Sequence, residues 1–312
     1  QPRDVAGGVL AFEVAEPRLL LEQLARVAHV AVEEHAHAQP QVGQQAFVQV
    51  ADLAHAGLGE AAVGPDLLVL EVLQHALDDA GVDCLLTDDP SRVRQLLDGW
   101  RTVGASGRSG LALFRRQLDP AQRTALPPGT AKITYTSGST GQPKGVCLGG
   151  AQLDTIARSL AEATRTLDIE RHLCLLPLAT LLENIAGIYA PLLAEATCLL
   201  PPASVTGMSY AGPDAQRLLG CITESQPQSL VLVPELLRLL VAAAERGWRV
   251  PKSLQFVAVG GAPVSIELLE RAGKARLPVF EGYGLSECAS VVCLNRPDAR
   301  RRGSVGRPLP HA

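Results

Sequence analysis

The chain has 312 residues, of which 47% are apolar and 19% charged, enough apolar material for two ordinary domains or part of one large α/β unit. The net charge of −4 and the pI near 6.0 indicate no basic surface for nucleic acid. The sequence contains neither a signal peptide nor a run approaching the roughly 18 uncharged apolar residues of a membrane span, so we predict a cytoplasmic protein with no transmembrane segment.

Residues 1–75 have an anomalous composition. Residues 1–74 contain no Ser, Thr, Tyr, Trp, Ile, Asn, Cys, Met or Lys, although folded segments ordinarily use Ser, Thr and Asn in helix caps and turns. The group His29, Glu33, His35 and His37 suggests a metal site, but biased composition also brings histidines together by chance. We therefore predict that this segment is disordered or mistranslated from the wrong frame or strand of its gene.

From residue 76 the pattern alternates between strands and helices. "ALDDAGVDCLLTDD" predicts a helix, a glycine turn and a short buried strand, and a loop-rich stretch that includes "GRSGLALFRRQL" then leads to the strand "AKITYTS". Helical spacing follows in "GGAQLDTIARSLAEATRTL", and three later segments each predict a strand followed by a helix. This alternation predicts an α/β fold with layered, mainly parallel sheets, whose ligands bind at the carboxyl ends of the strands.

The seven cysteines are scattered along the chain. They form no C-x-x-C pair, and no histidine stands at metal-ligand spacing from them. This pattern is typical of reduced thiols in a cytosolic protein. The cysteines are Cys84, Cys147, Cys174, Cys198, Cys221, Cys288 and Cys293.

The stretch "TYTSGSTGQPKGVCL" has the composition of a phosphate-binding loop. It is not a Walker loop, because Lys144 follows a proline and no Ser or Thr comes next. Its glycines allow backbone N–H groups to approach a phosphate, its hydroxyls donate hydrogen bonds, and Lys144 adds a positive charge. A flexible surface linker is the alternative, but the apolar strand before the loop and the Pro-Lys-Gly and apolar run after it argue against one.

Two later loops add groups that a nucleotide would use. In "EGYGLSE", Tyr283 can stack on a base, Ser286 offers a hydroxyl, and Glu287 is a hard oxygen ligand suited to Mg²⁺. By itself this loop is equally well read as a corner with a packed tyrosine. In "VGGAPVS", Gly261 and Ala262 are small enough for a planar ligand to rest on the backbone.

Together and in this order, the three loops resemble the adenylate-forming (AMP-binding) superfamily of acyl-CoA synthetases, nonribosomal-peptide adenylation domains and luciferases. "YTSGSTGQPKGV" is close to the family's phosphate loop, "GYGLSE" to its tyrosine-and-glutamate loop, "GGAP" to its adenine-side loop and "GSVGRPLP" to the segment that follows. The resemblance covers about residues 76–312 and implies part of the large N-terminal domain of such an enzyme.

The resemblance implies an acid–thiol ligase that uses ATP and Mg²⁺ to convert a small-molecule carboxylic acid into an acyl-adenylate, then transfers the acyl group to coenzyme A. It implies catalytic roles for Thr136, Lys144 and Glu287, with Glu287 also holding the metal. The implied nucleotide contacts are Ser137, Gly138, Ser139, Thr140, Gly141, Gly261, Ala262, Gly282, Tyr283, Gly284 and Ser286.

The segment "LPLATLLENIAG" looks more like the acyl-CoA synthetase branch than the peptide-synthetase branch, and "VLVPELLRLL" resembles the strand and helix of long-chain fatty acid–CoA ligases. No charged residue in the implied acyl pocket is an evident partner for an amino acid, which favours a fatty or other apolar acid. Many relatives have a histidine where Thr180 stands. Glu183 either belongs to this motif or begins a solvated helix. Two other functions stay open: an adenylation domain that loads a carrier protein, and a degenerate nucleotide-binding protein.

The sequence begins with Gln1, and its only methionine is Met208. It ends at Ala312, whereas the family continues beyond this point into a small C-terminal domain. We therefore expect that domain to be absent, and the chain to be a fragment that is not competent alone.

Overall fold

The computed structural model describes residues 2–5, 9–12, 47–49, 73–87, 90–105, 112–119, 124–136, 143–178, 180–209 and 212–312. The chain divides by its internal contacts into a first unit, residues 1–44 with 151–312, and a second unit, residues 45–150. The boundary near residue 75, which rests on composition, stays a prediction. The suggested metal ligands His29, Glu33, His35 and His37 lie outside the described residues.

The described residues contain both strands and helices. The strands are β1 Pro2–Val5, β2 Val9–Phe12, β3 Phe47–Gln49, β4 Cys84–Thr87, β5 Arg101–Ala105, β6 Ala112–Arg115, β7 Thr130–Thr136, β8 Lys144–Gly149, β9 Arg171–Leu173, β10 Thr197–Leu200, β11 Ser229–Leu232, β12 Phe256–Val259, β13 Val279–Leu285, β14 Ser290–Leu294 and β15 Arg307–Pro308. The helices are α1 (residues 73–79), α2 Pro90–Leu96, α3 Gly150–Thr164, α4 (residues 181–193), α5 Ala203–Thr206, α6 Ala215–Ser225, α7 Pro234–Glu245 and α8 Ile266–Lys274, with short 3-10 turns at Arg165–Leu167 and Ser286–Cys288.

In the first unit, the described strands form one nine-stranded sheet in the order β1-β2-β10-β9-β11-β12-β13-β14-β15. The five central strands, from β10 to β13, run parallel, and antiparallel strands flank them on both sides. At least one helix connects each central strand to the next one along the chain, which is the crossover that parallel pairing requires. The predicted α/β fold is confirmed.

Apolar side chains between this sheet and its helices form the core of the first unit. All four residues of β11 are buried, and Leu237 and Leu240 of α7 pack into the same cluster. Local sequence sets where the helices begin: Pro234 occupies the first turn of α7, and the Ser265 side chain accepts a hydrogen bond of 3.2 Å from the Leu268 amide at the start of α8. These local signals therefore fix the first residues of α7 and α8, which follow the parallel strands β11 and β12.

The second unit contains two small sheets among its described residues, in the orders β3-β7-β8 and β4-β6-β5. Strands β7 and β8 are antiparallel and form a hairpin around the predicted phosphate loop. The Tyr135 hydroxyl donates a 2.6 Å hydrogen bond to Asp79, the last residue of α1, which anchors β7. The stretch predicted to be loop-rich contains β6, because Ala112 and Phe114 alternate into the core and pair with strands on both sides.

The remaining sequence predictions have mixed outcomes. The strand–helix alternation over β9, α4 and β10, over β11 and α7, and over β12 and α8 is confirmed. All seven cysteines are free thiols, as predicted. The segment "GYGL" was expected to be a loop but continues β13 as strand. Within the described residues, every helix is too short or too polar to cross a lipid bilayer.

Candidate nucleotide site

The hairpin of β7 and β8 brings two predicted site residues together. Thr136 is the last residue of β7, Lys144 is the first of β8, and the two are partners in the antiparallel register. Paired residues of such a ladder present their side chains on the same face, so a hydroxyl and an ammonium group stand at the two stems of one loop. The Lys144 side chain is exposed and Thr136 is half-buried. Between them, the predicted phosphate contacts Ser137, Gly138, Ser139, Thr140 and Gly141 lie outside the described residues.

In the first unit, a second group of predicted residues lies at the carboxyl ends of two neighbouring strands. Val259, at the end of β12, pairs with Glu281 in β13. The turn that carries Gly261 and Ala262 therefore leaves the sheet beside Gly282. Gly261 and Ala262 are exposed, as is expected of residues that contact a ligand from solution. This group and the hairpin belong to different units.

The second glycine loop is an irregular strand. The pairing of β13 with β14 shifts register between Tyr283 and Gly284, which is a β-bulge. A Cβ atom at Gly284 would lie 1.8 Å from the Ser290 carbonyl oxygen, so only glycine permits this close approach of the two strands. The bulge leaves the Tyr283 side chain 48% exposed. The alternative of a corner with a packed tyrosine is therefore wrong, and the ring is free to stack on a ligand.

Ser286 and Glu287 follow β13 in a tight turn. The turn closes with a 2.9 Å hydrogen bond from the Ala289 amide to the Ser286 carbonyl. Ser286 is half-buried, whereas the Glu287 side chain is exposed, and no ion pair to it occurs among the described residues. A solvated carboxylate of this kind fits the oxygen ligand that Mg²⁺ prefers.

Asn295, which the sequence reasoning missed, holds the segment after β14 against β13. Its side chain is buried and donates to the carbonyls of Glu281, at 3.1 Å, and of Ser304. Its amide oxygen accepts from the Arg301 backbone at 2.8 Å. Burial raises the pKa of the Glu281 carboxyl, so this residue of β13 is less readily ionised than an exposed glutamate. An asparagine at a strand end gives no sequence signal for this role.

A second set of polar residues lies deep in the first unit. The side chains of His172, Cys174 and Glu183 are all buried, and Glu183 is 0% exposed. The interpretation of Glu183 as the start of a solvated helix is therefore wrong. Burial, followed by the charge of Glu183, raises the pKa of the Cys174 thiol and raises that of Cys198 to about 12. The sequence reasoning looked for metal ligands among the cysteines at standard spacings and missed this group.

Three relatives illustrate what the chain is similar to. It is 30% identical to the 2-succinylbenzoate–CoA ligase of Bacillus licheniformis over 65% of this chain and 42% of that enzyme. It is 26% identical to a hybrid polyketide and nonribosomal-peptide synthetase of Aspergillus candidus over 81% of this chain and 10% of that protein. The solved structure of the O-succinylbenzoate coenzyme A synthetase of Bacillus subtilis with AMP matches 58% of this chain and 35% of its own, with 26% identity and a TM-score of 0.47.

The chain thus spans less than half the length of these curated relatives. A sequence profile described as "AMP-binding enzyme" matches residues 28–312. That match begins inside the compositionally anomalous segment and includes the hairpin, the turn after β12 and the bulged strand. The chain therefore belongs to the AMP-binding enzyme family.

Proposed function

We propose that the complete protein activates a carboxylic acid with ATP and passes the acyl group to a thiol. The carboxylate attacks the α-phosphorus of ATP, pyrophosphate leaves, and the acyl-adenylate then reacts with the thiol to give a thioester and AMP. Negative charge is distributed over phosphate oxygens in the first step, so the protein contributes mainly by positioning and by electrostatic stabilisation.

The observation that carries this proposal is the register of Thr136 with Lys144 across the β7–β8 hairpin. Their side chains would contact the phosphates from the two stems of the loop, together with Ser137, Gly138, Ser139, Thr140 and Gly141. A mobile lysine whose ammonium group is exposed can follow the leaving pyrophosphate, which a fixed backbone donor cannot do.

The other predicted residues would hold the rest of the nucleotide. The exposed Tyr283 ring would stack on adenine, with Gly261, Ala262, Gly282 and Gly284 forming a flat backbone floor and Ser286 near the α-phosphate. Glu287 would hold Mg²⁺, which would neutralise phosphate charge when bound. The exposure of Tyr283 and Glu287 supports these roles.

For the acid, we propose an apolar molecule, either a fatty acid or an aromatic acid. The fatty acid rests on the likeness of "VLVPELLRLL" to fatty-acyl synthetases, whereas several relatives are named for 2-succinylbenzoate, which contains an aromatic ring. We propose free coenzyme A as the acceptor, since these relatives are CoA ligases. The peptide-synthetase relative supports a carrier protein as the second candidate. Action in the cytoplasm is consistent with seven free thiols.

The test is ATP–pyrophosphate exchange by the full-length protein, screened across fatty, aromatic and amino acids. Lys144→Ala should lower exchange about 100-fold, because it removes a charge that stabilises the transition state, and Glu287→Gln should act similarly. The exposed residues Lys252 and Glu270 provide matched controls, and Lys252→Ala and Glu270→Gln should keep full exchange. Measuring thioester formation with coenzyme A or with carrier proteins then identifies the acceptor.

Exchange that depends on one class of acid and is lost in both site variants would support the proposal. Nucleotide binding without exchange for any acid would instead favour the degenerate binding protein. Equal exchange by Lys144→Ala and Lys252→Ala would contradict the role assigned to the hairpin.

A further inference from the structure

A group of three potential metal ligands lies within the first unit, among the described residues. One donor atom each of His172, Cys174 and Glu183 lies within 4.8 Å of the other two. His172 belongs to β9 and Cys174 comes two positions later, so their side chains project from the same side of the extended chain. Glu183 reaches them from α4, where residues Glu183–Tyr189 form a π-helical segment. Such segments are rare and often occur at functional sites.

Three polar atoms of this group are buried without a hydrogen bond. His172 is 2% exposed and Glu183 is 0% exposed. Nε2 of His172 and both carboxylate oxygens of Glu183 form no hydrogen bond of standard geometry, and Nε2 lies 3.8 Å from the nearer oxygen. Burying a carboxylate without a partner costs free energy that a cation bound between these atoms would offset.

A neighbouring residue orients the histidine. Nδ1 of His172 lies 2.8 Å from the Ser229 hydroxyl on the adjacent strand β11. When Nδ1–H donates to that oxygen, the lone pair of Nε2 is directed toward Glu183. Metal-binding histidines typically have such a partner on the second ring nitrogen, because it fixes both the tautomer and the ring orientation.

Because Gly187 has no side chain, the side chains of His172 and Glu183 can approach each other beside it. A Cβ atom there would lie 2.6 Å from Oε1 of Glu183 and 3.0 Å from Nε2 of His172. The Gly187 carbonyl accepts from the Cys174 thiol at 3.4 Å and from the Cys198 thiol at 3.5 Å. Cys198 pairs with His172 in the register of β10 and β9, so a second thiol borders the group.

We propose that His172, Cys174 and Glu183 bind one zinc ion. Nitrogen and thiolate donors select Zn²⁺ over Mg²⁺, and a zinc ion held by three protein ligands keeps one position for a further donor. On binding, the Cys174 thiol releases its proton to solvent and its sulfur donates an electron pair to the ion. The site shares no residue with the proposed nucleotide site, and its test does not depend on enzymatic activity.

The experiment uses the 312-residue chain, treated with a chelator, reloaded with Zn²⁺ or Co²⁺ and dialysed. Elemental analysis should find about one zinc ion per chain, and a large excess of Mg²⁺ should not displace it. The cobalt form should show a thiolate-to-cobalt charge-transfer band and the visible absorption of tetrahedral Co²⁺. These spectra report sulfur coordination directly in the wild-type chain.

Single substitutions identify which side chains bind the zinc ion. Cys174→Ser and Glu183→Gln should each lower zinc affinity at least about tenfold, and Cys174→Ser should also remove the charge-transfer band. Cys221→Ser is the matched control, because Cys221 is also a buried thiol of the first unit but lies outside the group, and it should bind zinc as the wild type does. Circular dichroism checks that each variant is folded.

Two results would overturn the proposal. The first is a wild-type chain that retains no zinc after dialysis or gives a cobalt spectrum without thiolate charge transfer, which would leave His172 and Glu183 as a buried proton-sharing pair. The second is a folded Cys174→Ser variant that binds zinc as tightly as the Cys221→Ser control. If Cys174→Ser does not fold, the wild-type cobalt spectrum decides alone.

Discussion

Two polar regions of the same nine-stranded sheet differ in their access to water. At the end of β13, the Tyr283 ring is 48% exposed and the Glu287 carboxylate is exposed in the turn that follows. In β9 and α4, His172 and Glu183 are 2% and 0% exposed, and Nε2 of His172 and both carboxylate oxygens of Glu183 form no hydrogen bond of standard geometry. The polar groups of the exposed region are hydrated when no ligand is bound, so their exposure costs little free energy. The polar groups of the buried region have no water around them and need a bonding partner inside the folded chain. Burial therefore indicates which region requires a resident ion.

The largest expected effect comes from the bulge in β13. Gly284→Ala should lower the free energy of unfolding by about 3 kcal/mol, because the new methyl group would meet the Ser290 carbonyl at 1.8 Å and force two backbones apart. Chemical denaturation measures it. Gly104→Ala is the control, since its Cβ would meet only the Leu113 side chain at 3.9 Å, and equal losses in both variants would contradict the argument.

A smaller effect is expected at the buried group. Gly187→Ala should cost about 2 kcal/mol, because its methyl group would displace the Glu183 carboxylate and the His172 ring from a packed interior. It should also abolish the rise in melting temperature that zinc produces in the wild type. Gly220→Ala, a helical glycine with open space around it, should be neutral or slightly stabilising. A zinc-dependent shift that survives in Gly187→Ala would show that the ion binds elsewhere.

The second unit also contains a buried charged residue, Lys132 in β7. Burial lowers the pKa of Lys132 to about 8 from an ordinary value of 10.5. The unfolded chain therefore binds this proton more strongly than the folded chain, and the free energy of unfolding should rise between pH 8 and about pH 9.5, by about 1–2 kcal/mol. Denaturation at several pH values measures the rise, which Lys132→Met should remove and Lys252→Met should keep. The same rise in both variants would exclude Lys132 as its source.

The smallest expected effect on stability lies at the exposed region. Tyr283→Ala should change the free energy of unfolding by less than about 0.5 kcal/mol, because nearly half of the side chain already contacts water. In the full-length protein the same substitution should weaken ATP binding about tenfold through lost base stacking. Calorimetry measures both quantities, and a large loss of stability with unchanged ATP affinity would reverse the roles assigned to this residue.

The features that the sequence predicted correctly depend on local patterns. Alternating apolar runs were sufficient for β7, β11, α7 and β12, since each element is bounded by its own glycine or proline. The bulge at Gly284 was missed, because two glycines so close together predict a loop equally well. Only the pairing of β13 with β14 shows that this stretch is a strand. The strand β6 was missed for a related reason: one of its two partners, β4, is separated from it along the chain by α2 and β5.

By itself, the sequence determined the strand–helix alternation and the order of three nucleotide-loop motifs, because both depend on residue types at short, fixed spacings. Only the tertiary structure decided which polar residues meet away from water. Ser229 lies 57 positions from the His172 ring it contacts, and Glu183 comes from a different element of the fold. Burial of a side chain depends on the sum of such distant neighbours. The local pattern therefore could not decide whether Glu183 begins a solvated helix or belongs to the motif, whereas the packed chain encloses its side chain completely.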